Sequence, residues 1–280
     1  MKDRRTVELG RLSWKEVAAI LPLNPVILIP VGTVEQHGPH MPVNADNMVA
    51  DFVARRAAEA TGAYVIPAIN YGVSALFRNF PGTFSVQPET LTAVLRDVCH
   101  ELVNQGFRRI IFVNNHGGNQ TACEQVAREL KRDHGLVLGS IYPWVLGYAL
   151  MRDTYDDAAA VYGHGGEPET SAMLAMFPDD VRLDLMSGRD PNMHGAFKPR
   201  RDNTIEIPGQ PVGGTLYLDF DELFANGASG DPSVGTAERG QIWIERIVGY
   251  AIAFVQHYEN VTAGASWARR PNDPQVHNAD

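Results

Sequence analysis

Three of the nine histidines in this 280-residue chain, His37, His116 and His164, stand among glycines and acidic side chains. The segments around them read Gly32-Thr33-Val34-Glu35-Gln36-His37-Gly38, Asn114-Asn115-His116-Gly117-Gly118-Asn119 and His164-Gly165-Gly166-Glu167-Pro168-Glu169-Thr170. Glu35 and His37 are separated by one residue, so in extended backbone their side chains point to the same side. Asp46 follows shortly and admits two readings. It is either a carboxylate capping a helix that begins there or a third ligand beside Glu35 and His37. A lone His116 after a strand reads as an ordinary polar residue; Glu, Asp and a second His nearby shift that reading to a metal ligand. A mixed nitrogen and oxygen donor set suits zinc, manganese or iron, and the lack of cysteine argues against a structural zinc site. Glycines beside each histidine permit tight turns and close backbone approach.

The chain between these segments has to bring them together. Apolar runs at 26–31, 63–69, 109–113 and 136–142 predict strands. Helices are predicted at 47–60, 88–103, 120–134, 167–176 and 236–257, with Gly62, Gly106 and Gly135 as stops. Strands that are apolar throughout and alternate with helices indicate a parallel sheet covered on both faces. The expected fold class is therefore α/β, a three-layer α/β/α sandwich around a mostly parallel sheet. Ligands of such sheets bind beyond the carboxyl ends of the strands, and the histidine segments follow the first, third and fourth predicted strands. The stretch 178–235 is rich in Gly, Pro and Asp and reads as loops elaborating one domain over 1–280, with a dense apolar patch at 220–224. The polar tail 268–280 reads as loose.

Bulk properties narrow the partners. Hydrophobic residues at 44% and charged residues at 20% describe an ordinary globular protein. A net charge of -9 argues against nucleic acid or an anionic membrane as partner, since either calls for a basic patch. Cys99 and Cys123 fall within helical patterns and read as reduced, packed thiols. No apolar stretch follows the opening residues as a secretory signal would, and no run approaches the roughly 20 residues that span a bilayer. A cytoplasmic enzyme acting on a small molecule is the expectation.

In order and spacing, the three histidine segments resemble the signature blocks of the creatininase (creatinine amidohydrolase) family. Phe80-Pro81-Gly82-Thr83 and Gly230-Asp231-Pro232 resemble two further blocks, so the resemblance covers about residues 10–258. It implies a creatininase-like fold and a metal-dependent amidohydrolase with two divalent metal ions per chain. Glu35 would bind one ion, His37 the other, Asp46 would bridge them and His116 would complete the first site. In creatininase a glutamate two positions beyond that histidine binds the second ion; here the position is Gly118. Glu169 is then the replacement, with Glu167 as the alternative. His164 matches the family's acid/base histidine. Two such metals lower the pKa of water, to about 7 for zinc, and His164 would pass a proton to the leaving atom.

The substrate end departs from the family pattern. Many relatives carry Glu-His after the serine of a Tyr-Gly-x-Ser block, where this chain reads Tyr71-Gly72-Val73-Ser74-Ala75-Leu76-Phe77-Arg78. Creatinine is therefore not the expected substrate. Ser74, Arg78 and Trp144 are the candidate substrate-binding residues. Arg78 would pair with a carboxylate or be a solvated surface residue, and Trp144 would be a pocket residue or ordinary core. Relatives act on formamidopyrimidines, the mycofactocin precursor peptide and an inosose. A small cyclic amide or formamide leads, with a lactone or carbon–carbon hydrolase and a non-catalytic metal-binding protein as alternatives. The family is commonly hexameric, a trimer of dimers, and the loops of 191–235 could reach a neighbour, so a homo-oligomer is expected.

Overall fold

Val26–Val31 is the strand whose surroundings decide the rest of the fold. In the computed structural model, which describes residues 5–200, 204–210 and 213–263, this strand is β1 and all six of its residues are buried. Residues 1–4 of the opening and the polar tail 268–280 lie outside the described residues. The other strands of the main sheet are β2 (Tyr64–Val65), β3 (Arg109–Asn114) and β4 (Gly139–Ile141), in the order β2-β1-β3-β4, all parallel. β1 pairs with β3 along its whole length, from Val26 opposite Arg109 to Val31 opposite Asn114.

Successive strand residues face opposite sides, and each side has its own helices. The helices are α1 (Trp14–Ile20), α2 (Ala45–Thr61), α3 (Pro88–Gln105), α4 (Gln120–His134), α5 (Pro143–Leu150), α6 (Ala158–Val161), α7 (Glu169–Met176), α8 (Phe220–Leu223) and α9 (Ala237–Ala263). Val26, Leu28, Ile111 and Val113 share one core with α2, α7 and α9. Ile27, Ile29, Ile110 and Phe112 share the other with α3 and α4. The result is the three-layer α/β/α sandwich expected of strands apolar at every position. On α3 the buried residues Leu91, Leu95, Cys99 and Leu102 recur every three or four positions, the stripe a helix needs to lie on a sheet. Cys99 and Cys123 are free and buried in this layer, and burial pushes both thiols up to about 12. Among the described residues no helix is long and apolar enough to cross a membrane.

Several predicted elements change at their ends. The runs 63–69 and 136–142 shrink to the two- and three-residue strands β2 and β4, which end the strand order on either side. The stretch 178–235 is not loop throughout. It holds a three-stranded antiparallel sheet of β5 (Lys198–Pro199), β6 (Thr204–Glu206) and β7 (Gly214–Thr215), and also α8. The apolar patch of that stretch packs Phe220, Leu223 and Phe224 against Phe77.

From β1 the chain passes through α2 to β2 on one side, then through α3 to β3 on the other. The strand order therefore reverses beside β1, and the loops leaving β1 and β3 diverge at their carboxyl ends. That crevice is where open parallel sheets bind their ligands.

Candidate metal centre

The loop after β1 carries Glu35 and His37 into the crevice, and the first turn of α2 carries Asp46. The helix begins two residues earlier than a capping role would require: Asn44 occupies the N-cap, and Asp46 sits inside the first turn with no capping bond. The Asp46 carboxylate turns instead to the centre, where Oδ1 lies 3.2 Å from His37 Nε2 and Oδ2 lies 3.2 Å from His116 Nδ1. His116, just past β3, also places Nδ1 3.2 Å from Glu35 Oε1. Ligand atoms of Glu35, Asp46 and His116 thus all lie within 4.8 Å of one another, as do those of Glu35, His37 and His164. Each of these residues is buried.

The far side of each imidazole is fixed by the backbone. His37 Nδ1 donates to the Glu35 carbonyl at 3.2 Å, and His116 Nε2 donates to the Val73 carbonyl at 2.9 Å. A carbonyl only accepts, so these nitrogens carry a proton, and each ring turns its other nitrogen toward the carboxylates. Metal-ligating histidines are held in this way. Glu35 Oε2 is buried without a hydrogen-bond partner, an expensive condition for a carboxylate unless a cation shares the site. Donor types, ring orientations and the orphaned Glu35 oxygen all fit divalent ions.

Without such ions, protons must balance the carboxylates. Burial acts to depress the His37 imidazole, but Asp46, Glu169 and Glu35 outweigh it and raise it to about 9. Burial of His116 is likewise outweighed by Glu35 and Asp46, which hold it well above its usual value. Because the His37 pKa is raised on folding, its stabilisation of the metal-free protein is complete below about 6.5 and lost as pH rises through about 9. Ions must displace this proton and that of His116, so metal affinity is expected to climb as pH rises from about 6.5 toward about 9. Competition with a chromophoric chelator across that range checks it, and a flat profile would count against His37 as a ligand.

His164 and Glu169 occupy different positions around the cluster. His164 Nε2 donates to the Gln36 carbonyl at 2.6 Å, and its Nδ1 lies 3.9 Å from Glu35 Oε1. Its ring lies between those of His37 and Phe77, each with a centroid 4.4 Å away, and burial together with the charge of His37 keeps it well below its usual pKa. Glu169 opens α7 and faces the same cavity. Its oxygens accept from Tyr148 Oη at 2.8 Å and from the Gly165 amide at 2.9 Å, and burial raises it to about 7. It does not fall within the two close ligand groups. Glu167 points elsewhere: it is bonded to the Tyr155 and Ser171 hydroxyls and does not line the cavity.

The cavity, of about 500 Å³, sorts the three candidate substrate-binding residues. Trp144 lines it and donates Nε1–H to Asp46 Oδ1 at 2.7 Å. Ser74 is buried outside it, paired with the Thr33 hydroxyl at 2.6 Å. Arg78 is exposed and also outside, its Nε closing its own turn on the Ala75 carbonyl at 2.9 Å, so neither residue reaches the crevice. Sequence reasoning passed over Tyr148 and Asn115. Asn115 Oδ1 accepts the Trp144 amide at 3.1 Å and so seats the start of α5. The i, i+4 spacing of Trp144 and Tyr148 was the available signal, since it puts both on one helix face.

Trp144→Phe keeps a ring in the wall but removes the donor to Asp46. Loss of an outer-shell partner of this kind is expected to weaken metal binding about 10–100-fold. Chelator competition measures it, and an unchanged affinity would leave the indole as wall alone.

Gly118 stands two positions beyond His116. A Cβ there would lie 2.0 Å from the Val73 carbonyl oxygen and 2.6 Å from His116 Nε2. The position has no room for a side chain, so a further carboxylate ligand would have to come from another segment. A profile of the creatininase family, creatinine amidohydrolase, matches residues 10–255. The chain belongs to the creatininase family. It is 33% identical over 228 residues to the creatinine amidohydrolase of Pseudomonas putida, covering 76% of this chain and 86% of that one. It is also 33% identical over 253 residues to the mycofactocin precursor peptide peptidase of Mycolicibacterium smegmatis, covering 87% and 88%. The solved structure of a manganese form of creatininase superposes with a TM-score of 0.74 at 28% identity, covering 91% of this family member and 99% of that chain.

Proposed function

We propose that the chain is a metal-dependent amidohydrolase acting on a small cyclic amide or formamide. The observation that carries this is the convergence of Glu35, His37, Asp46 and His116, with each imidazole oriented by a backbone carbonyl so that its other nitrogen faces the carboxylates. In this reading Glu35, Asp46 and His116 hold one ion, while His37, Asp46 and Glu169 hold a second. Two divalent ions so held would supply a water of lowered pKa, about 7 for zinc, and charge to polarise a carbonyl oxygen.

The residues supply position and proton transfer. Trp144 and Asn115 keep Asp46 and the start of α5 in register. With Nε2–H tied to Gln36, His164 presents Nδ1 to the cavity, where it accepts a proton and returns it to the leaving nitrogen. Phe77 stacks on one face of this ring, with Phe220 edge-on 5.2 Å away, and both exclude water from that side.

Purified protein is expected to carry close to two divalent ions per chain and to hydrolyse members of a panel of cyclic amides, formamides and lactones. Chelation should abolish turnover, and readdition of zinc or manganese should restore it. Turnover that persists in protein shown by elemental analysis to be free of metal would refute the proposal. Hydrolysis of lactones alone would move the chain to a different substrate class.

A further inference from the structure

The cavity has two unlike halves. Its charged and imidazole groups, Glu35, His37, Asp46, His116, His164 and Glu169, are all gathered at the candidate centre. The rest of the lining is uncharged: the turn Ala75–Phe77 and α5 contribute the apolar Leu76, Phe77, Trp144 and Val145, beside Asn115, Tyr142 and Tyr148. No lysine or arginine among the described residues lines the cavity. Arg78 is adjacent in sequence to this wall, but its guanidinium is turned back onto Ala75. A charged substituent pressed against the wall would lose water without gaining a partner, which is costly. An apolar one would gain about 25 cal/mol per Å² buried. Size points the same way, since about 500 Å³ leaves room for a ring beside the scissile bond.

We propose that the cavity selects amides or formamides whose group beside the scissile bond is uncharged and ring-sized, and that Leu76 and Val145 set this preference. The inference rests on the metal-dependent reading and deepens it. Leu76 is half-buried, and Val145 stays 51% exposed, so both offer apolar surface that a substrate would cover. Phe77 contributes to the same wall, but it also stacks on His164 and is a poorer test of preference.

Hydroxamates separate the two questions, because their head group binds an active-site metal and their tail probes the wall. Calorimetric titrations of the zinc-loaded full chain would compare acetohydroxamate, benzohydroxamate and 4-carboxybenzohydroxamate. Benzohydroxamate is expected to bind about tenfold tighter than acetohydroxamate, because a phenyl buries roughly 60 Å² more apolar surface than a methyl. The carboxylate analogue should lose at least that gain. Leu76→Arg should reverse the order of the two aromatic probes. Val145→Arg, at a more exposed position, repeats the test should the first variant not fold. A benzohydroxamate no tighter than acetohydroxamate, or a carboxylate probe bound equally well, overturns the preference while leaving the metal reading intact. Absence of zinc-dependent binding by all three probes overturns the metal reading and the preference with it.

Discussion

Asp46→Ala is expected to leave the centre without either ion and to abolish turnover. Asp46 is the residue that both histidines face, with His37 and His116 each 3.2 Å from one of its oxygens. Its loss should therefore cost more than the about 10–100-fold in affinity typical of losing an outer-shell partner. Asp46→Asn keeps one carbonyl oxygen and is expected to hold a single ion with little activity. A capping role makes a different claim. There, Asn would serve as well as Asp, and Ala would cost only about 1 kcal/mol of stability. Asn44 already fills the N-cap position, so that smaller loss should not be the main effect. Elemental analysis beside turnover separates the cases. Two ions and full activity in both variants would remove Asp46 from the centre.

The parts of this arrangement that were legible in the sequence are those determined locally. α4 runs over Gln120–His134 as read, because Gly135 ends it in a left-handed conformation at φ 69° that other residues resist. β1 also matches, since a run buried on both faces leaves no choice of side. Ends that depend on a neighbour were not legible. Leu136 is apolar and buried, yet the strand begins at Gly139, where β3 provides a partner. The helix α5 was missed because Pro143-Trp144-Val145-Leu146 has no clear apolar stripe to announce it; nearly every position is apolar. Direction of a side chain was the hardest property to read. Ser74, Leu76, Phe77 and Arg78 are close in sequence, but a single tight turn sends only Leu76 and Phe77 into the cavity. Of the two glutamates in Glu167-Pro168-Glu169, the sequence favoured Glu169 only through the family resemblance. They part because α7 starts at Glu169, which leaves Glu167 outside the helix and among Tyr155 and Ser171.

His164→Ala and Glu169→Ala should fail in different ways. If His164 moves the proton, its removal should lower the turnover rate roughly 10²–10⁴-fold, the usual share of general acid–base catalysis, while both ions stay bound. The limb of the pH–rate profile that reports its protonation should flatten as well. Glu169→Ala should lower metal occupancy together with rate, because the second ion loses a carboxylate that no side chain at Gly118 can replace. The geometry makes this contrast a demanding one. His164 Nδ1 belongs to a close group with Glu35 and His37, whereas Glu169 stands back, tied to Tyr148 and the Gly165 amide. A ligand role for His164 would therefore show as loss of one ion in His164→Ala and retention of both in Glu169→Ala. That result would exchange the two roles, making the buried carboxyl, raised to about 7, the group placed to carry the proton. Glu167→Ala is the control for position, since Glu167 is buried away from the cavity and its loss should lower stability without selectively emptying a site. Metal content measured on all three variants at one pH, beside their rates, decides among these assignments.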